Sequence, residues 1–181
     1  GPVHLPTPRG VRRIDVQSAQ QMHDAVLPLA AQHGVFIATA AVADWRPATP
    51  SGEKIKKDGS GQVPAIGFTE NPDILAAVAR LPDRPYCVGF AAESHDLARH
   101  AREKLVRKNV PLVVGNLGPA TFGRDDNTLL LVAAEGEREL LHLSLGRERG
   151  LRCTEAAERA VRRMVRCHHP AAHARGGALV R

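Results

Sequence analysis

Aromatic residues are scarce: the 181 residues include one Trp, one Tyr and four Phe. So few rings leave little for stacking on bases, which argues against a single-stranded nucleic-acid binder despite a net charge of +6. Much of that charge has a local explanation. Arg159, Arg162, Arg163 and Arg166 recur at helical spacing and read as one solvated face. Cysteine is equally sparse. Cys87, Cys153 and Cys167 are far apart and form no CxxC pair, which excludes a zinc knuckle and a disulfide framework. No apolar run approaches the ~20 residues of a membrane helix, and the first residues carry no charged-then-apolar leader. A cytoplasmic location, with no membrane and no nucleic-acid partner, is the expectation. GxGxxG, Walker A, HExxH and GxSxG sequences are all missing, so any nucleotide site must be built another way. His168, His169 and His173 cluster near the end, but no Cys or Glu stands at metal-ligand spacing from them. No protein-borne metal site is expected.

What is present is an ordinary globular composition, 43% hydrophobic, in a length suited to one domain. Val11 to Val16 reads as a short strand. Ser18-Ala-Gln-Gln21 is a capping-box variant opening a helix through Met22, Val26 and Leu29, with Gly34 as its stop. Val35 to Ala40 is a continuous small apolar run, the pattern of a strand buried on both faces. Residues 46–62, rich in Pro, Gly, Ser and Lys, read as a long loop. Ala65 to Phe68 is a weak strand. Asn71-Pro-Asp73 opens a helix running to about Arg80, with Asn71 as N-cap and Pro72 first in the helix. Tyr86 to Phe90 and Leu112 to Gly115 are strands around a helix from Leu97 to Lys108. Thr128 to Val132 and Leu140 to Leu143 form a hairpin about Glu135-Gly136. Thr154 to Arg166 is a last amphipathic helix, and 167–181 a disordered tail. Strands alternating with helices predict an α/β fold: a Rossmann-like, three-layer, mostly parallel sheet with an antiparallel portion near the C-terminus.

In such sheets ligands sit at the carboxyl ends of the strands. Ala40–Asp44, Phe90–Glu93 and Gly115–Asn116 fall there. From Ala38 to Ala43 there is almost no side-chain bulk, so a ligand can approach the backbone. Asp44 can accept hydrogen bonds from hydroxyls or an amine. Lys54-Ile-Lys-Lys57 places cations on a loop able to close over phosphates. Lys104 and Lys108 share a helix face flanking Ala98, Ala101 and Leu105, and neither has an acidic neighbour four residues away that could hold both. Phe90, at a strand end, can pack on a base or ribose, or can equally be core. The start of the helix after Asn71 offers free backbone N–H groups. Each feature also has a plainer reading, as core strand, solvated basic face, helix cap or, for Phe122-Gly-Arg-Asp-Asp-Asn127, turn. Their conjunction outweighs those readings.

The segments Gly1-Pro-Val-His-Leu-Pro-Thr-Pro8, Ala40-Ala-Val-Ala-Asp-Trp-Arg-Pro47, Lys54-Ile-Lys-Lys57, Asn71-Pro-Asp-Ile-Leu75, Val88-Gly-Phe-Ala-Ala-Glu93, Ala101-Arg-Glu-Lys-Leu-Val-Arg-Lys108 and Phe122-Gly-Arg-Asp-Asp-Asn127, in that order, resemble phosphopantothenoylcysteine synthetase. That family is the C-terminal half of the bacterial bifunctional coenzyme A biosynthesis flavoprotein. The likeness covers about 1–166. It implies a CTP-dependent ligase joining 4′-phosphopantothenate to L-cysteine through an acyl-cytidylate. It further implies Mg2+ with the nucleotide, a homodimer, and fusion to or pairing with a flavin-dependent decarboxylase. Carried over by motif, Lys54 is catalytic. Ala38, Thr39, Ala40, Asp44, Lys54, Pro72, Asp73, Ile74, Leu75, Phe90, Lys104 and Lys108 contact the nucleotide. Relative to the family, the sequence is expected to lack a first strand–helix unit that binds phosphopantothenate. The alternative function is a nucleotide-binding regulatory or interaction module without catalysis; a Rossmann-type oxidoreductase is disfavoured by the missing Gly-rich fingerprint.

Overall fold

A computed structural model of the protein describes residues 4, 6–56, 59, 61–118, 126–134, 136–144 and 178–180. Its described elements are α1 (Ala19–Ala30), β1 (Val35–Ala38), β2 (Trp45–Pro47), β3 (Phe68–Glu70), α2 (Ile74–Ala79), β4 (Tyr86–Glu93), α3 (Leu97–Lys108), β5 (Leu112–Leu117), β6 (Asp126–Ala133), β7 (Gly136–Ser144) and β8 (Ala178–Val180). Six strands form one sheet in the order β7-β6-β5-β4-β1-β8, and β2 and β3 form a separate pair. β1 runs parallel to β4, from Val35 opposite Tyr86 to Ala38 opposite Gly89, and β4 runs parallel to β5. The direction reverses beyond β5, where β6 and β7 add antiparallel. This is the predicted α/β class, with its antiparallel portion late in the chain.

The alternation along β4 explains its position. Cys87 and Ala91 face a cluster with Val26, Val78 and Leu105, while Tyr86 and Val88 face a second cluster with Ile37, Leu112 and Leu131. A strand buried on both sides reads as an unbroken apolar run. The three described helices all pack on the first face. Two of them set a leucine side chain directly over a glycine, so that an added Cβ there would oblige the leucine to shift. A Cβ on Gly89 would stand 2.9 Å from Leu75 Cδ2, and one on Gly115 would stand 2.7 Å from Leu97 Cδ1.

Several sequence expectations need correction. Residues 11–16 carry no strand, because none of the described strands pairs with them. α1 has the predicted capping box, with Gln21 N–H on Ser18 Oγ at 3.1 Å and Ser18 N–H on Gln21 Oε1 at 3.1 Å. It closes at Ala31 rather than Gly34, whose carbonyl instead accepts from Tyr86 N–H at 2.9 Å. Arg46 and Pro47, read as loop, are strand, because Phe68–Glu70 returns to pair with them. α2 is capped by Asp73, not Asn71: Asp73 Oδ1 accepts from Ala76 N–H at 3.0 Å. Within the segment expected to be a disordered tail, Ala178–Val180 lies parallel to β1. The helix read at 154–166 and residues 122–125 of the turn read at 122–127 lie outside the described residues, while Asp126 and Asn127 are strand and open β6.

Candidate functional site

The parallel strands β1, β4 and β5 end on one edge of the sheet, and a cleft of about 720 Å3 opens there. That is within the range of small-molecule sites, roughly 300–1,000 Å3. Its first wall is the connection from β1 to β2. Ala38, Thr39, Ala40 and Asp44 line it, and Val42 N–H folds back on the Ala40 carbonyl at 3.1 Å. Small side chains leave this backbone accessible. The Asp44 carboxylate is exposed and meets no hydrogen-bond or ion-pair partner among the described residues.

The second wall is the entry to α2, where Pro72, Asp73, Ile74 and Leu75 line the cleft. Asn71 stitches the two walls together. Its backbone N–H donates to the Asp44 carbonyl at 2.8 Å, and its Nδ2 donates to the Ala43 carbonyl at 2.8 Å. Capping by Asp73 alters the expected phosphate contact, since a carboxylate already occupies the first turn of this short helix.

The third wall is α3. Lys104, Arg107 and Lys108 stand on one face, at i, i+3 and i+4. The two lysines are not idle. Lys104 Nζ donates to the Phe90 carbonyl at 2.5 Å, and Lys108 pairs with Asp73. Burial pushes the Lys104 ammonium below the usual lysine range, and the neighbouring Lys108 charge pushes the same way. Burial acts to raise the Asp73 carboxyl, but hydrogen bonds from Lys108 and Ala76 N–H outweigh it and hold the group below the usual carboxylate range. Phe90 borders the cleft while packing against the cluster of Tyr86 and Val88 on the other face.

Of the twelve residues expected to contact the nucleotide, all but Lys54 line this cleft. Lys54 is exposed on the segment joining β2 to β3 and is not part of the wall; Lys56 is likewise exposed, and Lys57 lies outside the described residues. Sequence reasoning missed Arg107, whose signal was its position three residues after Lys104. It also missed Arg46 and the bridging role of Asn71, whose partners are distant in sequence. Among the described residues no three His, Cys, Asp or Glu side chains converge on a metal-sized site.

Residues 1–150 match the DNA/pantothenate metabolism flavoprotein C-terminal domain. The chain belongs to that family. The Coenzyme A biosynthesis bifunctional protein CoaBC of Vibrio cholerae is 50% identical over 144 residues, 77% of this chain and 36% of that protein. This family member thus spans about a third of the length of the curated relatives it matches. The solved C-terminal domain of CoaBC superposes with a TM-score of 0.63 at 28% identity, covering 90% of this chain and 69% of that one. A Cab2 mutant solved with phosphopantothenate-cysteine shares the family fold, with a TM-score of 0.55 at 18% identity, 75% of this chain and 46% of that one being covered. No described helix of the family member is long and apolar enough to cross a membrane.

Proposed function

We propose that this chain forms the nucleotide-binding part of a phosphopantothenate–cysteine ligase acting in coenzyme A biosynthesis, with CTP as the nucleotide. The observation that carries the reading is the convergence on one cleft of an accessible backbone at Ala38–Ala40, an unpartnered carboxylate at Asp44, and the cations Lys104, Arg107 and Lys108. Membership of the family supports it. In the reaction, a phosphopantothenate carboxylate oxygen attacks the α-phosphate of CTP, forming a P–O bond as pyrophosphate leaves. The cysteine amine then attacks the acyl carbon of the acyl-cytidylate, CMP departs with the bonding pair, and the amine loses a proton.

The roles follow from charge. Negative charge builds on the α-phosphate and the leaving pyrophosphate, so preorganised cations are worth most there. Lys104 and Lys108 serve this from α3, and Lys54 from the β2–β3 segment. Asp44 suits a ribose hydroxyl rather than a phosphate, because two anions repel. Pro72 to Leu75 present backbone, and Phe90 borders the base or ribose. Mg2+ would be held chiefly by the triphosphate itself, as befits a hard cation that commonly takes one or two carboxylates plus substrate phosphates. Trp45, Val63, Ile66 and Phe68 are exposed apolar side chains on the β2–β3 unit, and they support a homodimer.

Calorimetry with CTP, ATP and NADP tests the site. CTP is expected to bind best, and preference for NADP would return the oxidoreductase. Pyrophosphate release by a polypeptide of the relatives' full length, given CTP, phosphopantothenate and cysteine, tests the reaction. CTP binding without turnover there would favour a binding module.

A further inference from the structure

Two side chains outside the nucleotide set hold its geometry. Arg46 Nη1 donates to the Glu70 carbonyl at 2.6 Å and to Asn71 Oδ1 at 3.1 Å. Asn71 Nδ2 in turn donates to the Ala43 carbonyl, and Asn71 N–H to the Asp44 carbonyl, both at 2.8 Å. Both ends of the Asn71 amide are thereby used, and its orientation is fixed by having a donor on one side and an acceptor on the other. An aspartate could keep the Arg46 contact but would turn a second oxygen toward the Ala43 carbonyl. Both Arg46 bonds leave one nitrogen, Nη1, whose N–H directions are fixed in the guanidinium plane, whereas a lysine at 46 would bring a freely rotating ammonium on a shorter stem.

The location of these bonds matters more than their number. Arg46 sits in β2 and Glu70 ends β3, so the guanidinium ties together the two roots of the segment that carries Lys54. The bond from Asn71 N–H to the Asp44 carbonyl continues the β2–β3 ladder by one step, but the side-chain bond from Nδ2 reaches past it to Ala43, in the wall of the cleft. One hydrogen-bonded chain therefore runs from the roots of the lysine segment, through Asn71, to the peptide that presents the Asp44 carboxylate. If the pair served only the small hairpin, the Nδ2 bond to the Ala43 carbonyl would be superfluous.

We infer that Arg46 and Asn71 are positioning residues: a clamp that sets Asp44 and the Lys54 segment in register with one another across the nucleotide cleft. The inference rests on the nucleotide reading of that cleft. A misplacement of about 1 Å in a reacting array costs up to roughly a hundredfold in rate, so such a clamp is worth building.

The test uses the full 181-residue chain and four variants: Asn71→Ala, Arg46→Lys, Asp44→Ala and the double variant Asp44→Ala/Asn71→Ala. CTP affinity, thermal unfolding and amide hydrogen exchange are measured on each. Asn71→Ala should weaken CTP binding by about tenfold, the fold-change matching the loss of one or two such hydrogen bonds. It should speed exchange within 40–45 while leaving the core strands protected. Because the clamp acts through Asp44, adding Asn71→Ala to Asp44→Ala should cost little more than Asp44→Ala alone. Full additivity, or unchanged CTP affinity in Asn71→Ala, would overturn the inference. If Asn71→Ala fails to fold, Arg46→Lys, which keeps the charge and the strand, carries the same comparison with Asp44→Ala. If the wild-type chain does not bind CTP, the nucleotide reading fails by itself. The clamp is then judged on exchange, faster at 40–45 sustaining it and unchanged there removing it.

Discussion

Lys108, in the last turn of α3, is ion-paired with Asp73, the N-cap of α2, so the two helices are latched across one end of the cleft. The latch does two things with one carboxylate: Oδ1 caps Ala76 N–H, and Oδ2 faces the ammonium.

Asp73→Asn separates those tasks, keeping an oxygen for the cap and removing the charge. The folded pKa of Asp73 is lowered. Its ionic contribution is therefore complete above the unfolded carboxylate value of ~3.9 and is lost as pH falls through the lower folded value. Wild type should exceed Asp73→Asn in stability at pH 7 by up to about 1 kcal/mol, since the pair is partly exposed. The gap should close below pH ~4. Urea titrations at pH 7, 5 and 3 read it, and a gap indifferent to pH would remove the ion pair from the account.

Arg107 lines the cleft, and among the described residues its guanidinium has no ion-pair partner. It should be the first cation an incoming triphosphate meets. Arg107→Gln is expected to slow CTP association several-fold at low salt and to flatten the salt dependence, with dissociation less affected. Stopped-flow binding at two ionic strengths decides this; an unchanged association rate would leave Arg107 as a surface charge.

Lys54→Ala should leave the unfolding temperature within a degree or two, because an exposed side chain away from special features contributes little. In a polypeptide of the relatives' length it should cost about 3 kcal/mol or more of transition-state stabilisation in acyl-cytidylate formation. Near-normal single-turnover kinetics would assign the catalytic charge elsewhere.

Gly115→Ala places a methyl 2.7 Å from Leu97 Cδ1, well inside contact distance. Leu97 opens α3 and must shift, so a loss of about 1–3 kcal/mol is expected. Chemical denaturation measures it. Restoration by Leu97→Ala in the same chain would show that crowding, rather than backbone freedom, is responsible.

Cys87 is buried, and burial pushes its thiol up to about 11, with Arg84 opposing only weakly. At pH 8 it should be unreactive toward a thiol reagent in the native protein. Peptide mapping after labelling should find Cys87 modified only once denaturant has unfolded the sheet.

Much of this fold could be read from local pattern. α3 runs from Leu97 to Lys108 as expected, because Ala101 and Leu105 mark its buried face. The Ser18/Gln21 capping box lies within four residues and needs no tertiary help. What escaped depends on partners far along the chain. β2 is only Trp45–Pro47, and it becomes strand because β3 pairs with it. Asn71 and Asp73 are both good caps, so propensity could not choose between them; Arg46 and Ala43 draw the Asn71 side chain away. At the site, the run of small residues before Asp44 was legible because absent bulk is visible in sequence. The pairing of Lys108 with Asp73 was not, since Asp73 lies 35 positions away and outside any helical spacing rule.

The pairing of β2 with β3 closes the ends of the segment between Pro47 and Phe68, and the Ala48 N–H to Gly67 carbonyl bond at 2.8 Å continues the closure by one step. The thermodynamic cost of the segment is therefore set at its neck. Closure entropy grows only with the logarithm of length, about 0.6 kcal/mol per doubling. Residues can thus be added or removed between the neck and Lys54 at little cost to the sheet, while the reach of that ammonium changes by up to about 3.5 Å for each residue. On the role proposed for Lys54, length in this segment would tune catalysis while stability scarcely registers it.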